Sequence, residues 1–147
     1  MRAVVVLLNR DLRVHDHPAL AEAARRGPVV PLFVVDDALV DSGFAVPNRA
    51  MFLVDCLTDL REALRQRGAD LVVRRGDPVT AALRLAEQMD ADSVHVSADV
   101  TAFARTREDR LTAACAASRV GLETHAGVTV VPADALRTGG GDHYKVF

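Results

Sequence analysis

Arg10, Asp11, Arg13 and Asp16 stand together directly after the apolar run Ala3–Leu8, and Pro18 follows them. Two carboxylates and two guanidiniums at the exit of a buried strand admit two chemistries. They can pair or cap the next element, forming an ion-pair lock, since buried charges are tolerated only when paired. Or they can hold a ligand, because open α/β sheets bind ligands at the carboxyl ends of their strands. A second group lies in Ser97–Arg107, where Asp99, Phe103, Arg105 and Arg107 follow another short apolar run. A carboxylate, an aromatic ring and two arginines suit a planar, partly polar ligand. The same residues also read as an ordinary capped helix start with solvated arginines.

Other chemistries find no support in the chain. The phosphate loops Gly-x-x-x-x-Gly-Lys-Ser/Thr and Gly-x-Gly-x-x-Gly are missing, and so is a Gly-x-Ser-x-Gly nucleophile elbow. His15, His17, His95, His125 and His143 show no partners at metal-ligand spacing on a shared helix, and Cys56 and Cys115 make no Cys-x-x-Cys pair. No metal site and no self-sufficient catalytic set is expected. His95, within a strand, reads as a satisfied interior or edge histidine.

The elements that must position these groups alternate strand and helix. Ala3–Leu8, Val29–Val35, Leu71–Arg74 and Ser93–Ser97 read as strands. Val128–Val131 reads as the fifth, with Leu122–His125 a second candidate for extended chain. Pro18–Arg26 has proline at its first helical position and Gly27 just past its end. Ala50–Arg67 carries Leu53, Leu57, Leu60 and Leu64 at helical spacing, and Gly68 stops it. Asp77-Pro78 is an N-cap followed by proline, with Val79, Ala82, Leu83 and Ala86 facing inward. A last helix runs from about Ala104 to Val120, with Leu111, Ala114, Cys115 and Ser118 on one stripe and Gly121 at its end. Continuous Val/Leu runs mark a parallel sheet covered on both faces. The expected fold is therefore α/β: a doubly wound, Rossmann-like, five-stranded parallel sheet with helices on both faces. Asp36–Asn48 is the longest internal loop and falls on the ligand side of the sheet. Thr138–Asp142, with three consecutive glycines, reads as a linker.

Composition sets the limits. The 147 residues suit one domain with a real core, half of them hydrophobic. A formal net charge of −2 gives no general nucleic-acid footprint, although every basic residue except Lys145 is arginine. The two cysteines read as small core residues in a reducing cytosol, so a cytoplasmic protein is expected, with no signal peptide and no membrane span.

Several motifs, in order, resemble the DNA photolyase/cryptochrome family. Asn9 to Leu20 resembles its opening Arg-x-Asp-Leu-Arg-Leu-x-Asp-Asn-Pro-Ala-Leu, Arg49-x-x-Phe52-Leu53 with Leu57-x-Asp59-Leu60 its next helix, and Gly76-Asp77-Pro78 its strand-to-helix turn. Asp99 to Arg107 occupies its Asp-Tyr-Glu-Pro-Tyr-x-x-x-Arg segment, and Tyr144 to Phe147 looks like its Tyr-x-Val-Phe stretch. The resemblance implies residues 1–137 as the N-terminal α/β domain and 138–147 as the start of an interdomain linker. It implies an antenna chromophore bound here, FAD only in a larger C-terminal helical domain outside this chain, and UV-damaged DNA met through the intact light-driven repair protein. The domain alone would not be catalytic. A cryptochrome-like photoreceptor domain, or a degenerate partner-binding module, is the alternative. The family's Trp-Phe-Arg is Leu7-Leu8-Asn9 here, its capping Asn is His17, a glutamate is Thr101 and a tyrosine is Phe103. Loss of that glutamate favours a deazaflavin or FMN over a folate. The resemblance implies Asp36, Arg49, Phe52, Asp99, Phe103 and Arg105 around the chromophore, with Arg10, Asp11, Arg13 and Asp16 bracing strand and interface. An isolated domain of this kind would expose its docking face and self-associate.

Overall fold

The computed structural model describes residues 1–43 and 46–129. Among these, five strands form one sheet: β1 (Val4–Leu8), β2 (Val29–Asp36), β3 (Val72–Gly76), β4 (Ser93–Ser97) and β5 (Gly121–His125). Their order across the sheet is β3-β2-β1-β4-β5, and every neighbouring pair is parallel. The helices between them are α1 (Pro18–Arg26), a short α2 (Asp37–Asp41), α3 (Pro47–Arg65), α4 (Pro78–Gln88) and α5 (Ala102–Ser118).

Strand alternation splits the core into two layers. Val4, Val6 and Leu8 point toward Ala19 and Ala23 of α1 and Leu60 and Leu64 of α3. Val5 and Leu7 point the other way, toward Val79, Ala82 and Leu85 of α4 and Leu111 and Cys115 of α5. Burial of a leucine such as Leu60 removes roughly 1.5–3 kcal/mol of hydration cost. The chain winds outward from β1 in both directions, so the order reverses between β1 and β4. That reversal point is where doubly wound sheets open a crevice at their carboxyl ends.

Local chemistry explains the helix ends. Pro18, Pro47 and Pro78 each sit in a first turn, where a missing N–H costs nothing. Gly27 lies past α1 in extended backbone, and its lack of a side chain has a steric cause: a Cβ there would lie 2.3 Å from the Arg2 carbonyl oxygen. Gly68, past α3, has φ +81, a left-handed conformation that glycine adopts freely.

Several boundaries depart from expectation. The fifth strand is Gly121–His125, and Val128 and Thr129 form a bend; residues 130–131 lie outside the described residues. As an edge strand, β5 is half solvated, with no residue fully buried, which its Gly-Leu-Glu-Thr-His sequence satisfies better than a continuous apolar run. Its glycine also fits the sheet, since a Cβ at Gly121 would come within 3.1 Å of the Ser93 Cβ. Accordingly α5 ends earlier than Val120, at Ser118, with Arg119 in the left-handed conformation at its cap (φ 56). The loop after β2 contains α2, and α3 begins at Pro47 rather than Ala50. The expected linker at 138–147 lies outside the described residues. Among the described residues, no helix is long and apolar enough to cross a membrane.

Candidate functional site

The carboxyl ends of β1, β2 and β4 gather most of the charged residues singled out by sequence. Asp11 is buried and accepts a hydrogen bond from the Asn9 amide at 3.0 Å. Its other oxygen stands 2.9 Å from Nε2 of His17, which is itself buried. His17 caps α1: its Nδ1 accepts the Leu20 amide at 3.2 Å. A neutral imidazole that accepts at Nδ1 carries its proton at Nε2, the atom that stands against the Asp11 carboxylate. Burial alone would push the Asp11 carboxyl up. The contacts with His17, the Ser97 hydroxyl and the Asn9 amide outweigh it and hold the group well below the usual carboxylate range. Asp11 thus ties the exit of β1 to the start of α1.

Sequence reasoning expected arginines to pair with these carboxylates, and the structure corrects this. Asp11 pairs with His17. Arg13 donates to the backbone carbonyls of His15, Asp16 and Gly127, the last at 2.7 Å, rather than to the Asp16 carboxylate. The helix cap is likewise His17 and not an aspartate. Arg10 alone follows the ion-pair expectation, at 3.1 Å from Asp99. Arg10 is exposed while the Asp99 side chain is almost fully buried, so the pair crosses the reversal point at the sheet's rim. Burial raises the Asp99 carboxyl, but the Thr101 amide and Arg10 hold it below its ordinary value. The Thr101 hydroxyl caps α5 by accepting the Ala104 amide at 3.3 Å.

Beside this lock lies a crevice of about 280 Å³ lined by Asp36, Asp77, Phe103, Thr106, Arg107 and Arg110, among others. Asp36 enters it from the end of β2 and caps α2 through the Ala38 amide at 3.0 Å. Asp77 caps α4 and accepts from Arg110 at 2.8 Å. Arg107 is half-buried, with its guanidinium 5.8 Å from the centre of the Phe103 ring. Burial lowers its affinity for its proton, opposed by the field of Asp36, Asp99 and Asp11. Among the described residues it makes no direct ion pair. A ring with a guanidinium over it, flanked by carboxylates, can stack on a flat heterocycle and donate to its oxygens.

The structure therefore brings Asp36 and Phe103 into one crevice, while Asp99 is outside its lining and pairs with Arg10. Arg49 and Phe52 are exposed on the first turns of α3, with Phe52 71% exposed. Arg105 is also exposed. Arg107 takes the inward position instead. The signal was present in the spacing: residues four apart on a helix share a face, whereas a step of two turns about 200° away.

A family model described as DNA photolyase matches residues 4–147. The chain belongs to the DNA photolyase family. It is 45% identical over its whole length to the deoxyribodipyrimidine photo-lyase of Streptomyces griseus, covering 33% of that protein. The structure of a Synechocystis cryptochrome superposes with a TM-score of 0.86 at 26% identity, over 94% of this chain and 30% of that one. A Sulfolobus tokodaii photolyase, solved with two FAD molecules, superposes at 0.81 with 23% identity, over 88% of this chain and 30% of its own, and so shares the fold. The chain spans about a third of the length of these relatives. As a photolyase-family α/β unit, it confirms the doubly wound parallel sheet read from the sequence.

Proposed function

We propose that this photolyase-family unit binds an antenna chromophore and does no catalysis of its own. The carrying observation is the crevice at the carboxyl ends of β2 and α5's first turns, where Phe103, Arg107 and Asp36 converge. Phe103 supplies a stacking face. Arg107 donates to a carbonyl or phosphate oxygen without first having to break an ion pair. Asp36, already receiving one amide, keeps lone pairs for a ring N–H or a ribityl hydroxyl. Asp99, locked to Arg10, positions the start of α5 rather than the ligand.

A deazaflavin or FMN fits this set better than a reduced folate. Thr101, where the family's glutamate stands, uses its hydroxyl to cap α5, so no carboxylate is offered there to a pterin's donor nitrogens. The antenna absorbs light and passes the energy on. The partner in this reading is a helical FAD-bearing domain, and UV-damaged DNA is met through the intact light-driven repair protein, in which the lesion is flipped from the duplex. A photoreceptor role is the second reading, favoured by the likeness to a cryptochrome structure.

The test is an absorbance titration of the purified protein with an 8-hydroxy-5-deazaflavin, FMN and a reduced folate. Saturable binding of a flavin-type ligand with a shifted spectrum, weakened in Arg107→Ala, supports the proposal. Absence of binding to all three, in this chain and in the full-length protein, refutes it. Blue-light repair of pyrimidine dimers by the full-length protein separates the repair reading from the photoreceptor one.

A further inference from the structure

On the opposite side of β4 from α5, three potential metal ligands meet. Glu123 and His125 are two apart on β5 and share a face, because strand side chains alternate. His95 lies directly across from Glu123 in the β4–β5 register. One ligand atom from each of the three lies within 4.8 Å of the others. His125 Nε2 is 3.0 Å from His95 Nδ1, and the two rings stack with centroids 4.9 Å apart.

His95 is wholly buried, and its Nε2 has no hydrogen-bond partner among the described residues. The Glu123 carboxylate stops 4.0 Å away from it, at ion-contact rather than hydrogen-bond distance. A buried ring nitrogen without a partner is costly whether it carries a proton or a lone pair. The cost disappears if the lone pair binds a cation. Tetrahedral zinc, with bonds of about 2.0–2.2 Å, spaces its ligand atoms roughly 3.3 Å apart, so metal binding would draw together donor atoms that here lie within 4.8 Å of one another.

We propose that His95, Glu123 and His125 form a binding site for a borderline transition-metal dication of the zinc class. Two imidazoles and one carboxylate leave the fourth position to water. The choice of metal follows the donors: hard cations such as magnesium and calcium take all-oxygen sets, while imidazole selects zinc, cobalt and nickel. Arg26 of α1 regulates the site. It pairs with the other Glu123 oxygen, and Glu22 holds Arg26 in turn. A metal must share Glu123 with that guanidinium and bear its charge nearby.

The test uses cobalt(II) as probe, in a visible-absorbance titration of the purified protein. The expected result is tetrahedral d–d bands saturating at about one cobalt per chain and displaced by zinc. His125→Ala and Glu123→Gln, both at partly exposed positions and each checked for unchanged far-UV circular dichroism, should lose affinity by about tenfold or more. Arg26→Ala should bind more tightly, because it frees the carboxylate and removes a positive charge; a chance surface site would not respond in this way. Absence of the bands, or bands that persist unchanged in both ligand variants, overturns the proposal.

Discussion

Asp11→Ala tests whether the charges at the exit of β1 are a structural lock. The side chain is 2% exposed, faces His17 Nε2 at 2.9 Å and accepts the Asn9 amide at 3.0 Å. Truncation leaves the imidazole N–H and the Asn9 amide without their acceptor. Each orphaned buried donor costs about 1–3 kcal/mol, so the two together cost about 2–6 kcal/mol. For a domain of this size 1 kcal/mol moves the melting temperature by roughly 2–4 °C, so the expected fall is roughly 4–24 °C. Circular dichroism melts of wild type and variant at neutral pH read it directly. Acid adds a second signature. The carboxyl is held below its ordinary range when folded, so its stabilisation is complete above about pH 4 and declines as pH falls through that value toward the lowered one. The variant should lack this part of the acid-side decline. An unchanged melting temperature at neutral pH would refute the lock.

Arg107→Lys should weaken binding of a flavin-type ligand, because a point charge replaces a planar donor, while the melting temperature changes by no more than about 3 °C; ligand titration and a thermal melt check the two parts. Gly27→Ala should destabilise by about 1–3 kcal/mol, since the new methyl would lie 2.3 Å from the Arg2 carbonyl and β1 or α1 must move; urea unfolding measures it. Leu60→Ala, at a fully buried position beneath α3, should cost about 2–5 kcal/mol in the same assay. Thr101→Ala should cost about 1 kcal/mol through the lost α5 cap.

Much of this architecture is legible because the central strands are buried on both faces. Five consecutive buried residues in β1 leave no ambiguity about what Val4–Leu8 does, and proline and glycine bracket α1 at the residues observed. The edge is harder to read. β5 holds only half-buried and exposed residues, and Gly121–His125 lacks the apolar run that marks the inner strands. Side-chain partners are harder still. Arg10 and Arg13 flank Asp11 in sequence and suggest an arginine partner, whereas the fold sets His17, buried at the start of α1, against its carboxylate. Arg107 was overshadowed by Arg105, although helical geometry separates them. His95 and His125 are thirty positions apart, and only the parallel register of β4 and β5 makes them neighbours.

The placement of β1 at the centre of the sheet has a consequence for synthesis. Of these five strands β1 leaves the ribosome before the others, and it is flanked by β2 on one side and by β4 on the other. β2 follows after one short helix, but Val4–Leu7 must wait for Ser93–Val96 before their second hydrogen-bonding edge is covered. Until then a nascent chain presents an unprotected row of valine and leucine backbone, the kind of edge to which other chains add. Parallel sheets close such gaps slowly, because the partners are far apart in sequence. The growing chain is therefore most prone to aggregation from the appearance of β1 until the emergence of β4, and chaperones that hold extended apolar segments would act in that interval.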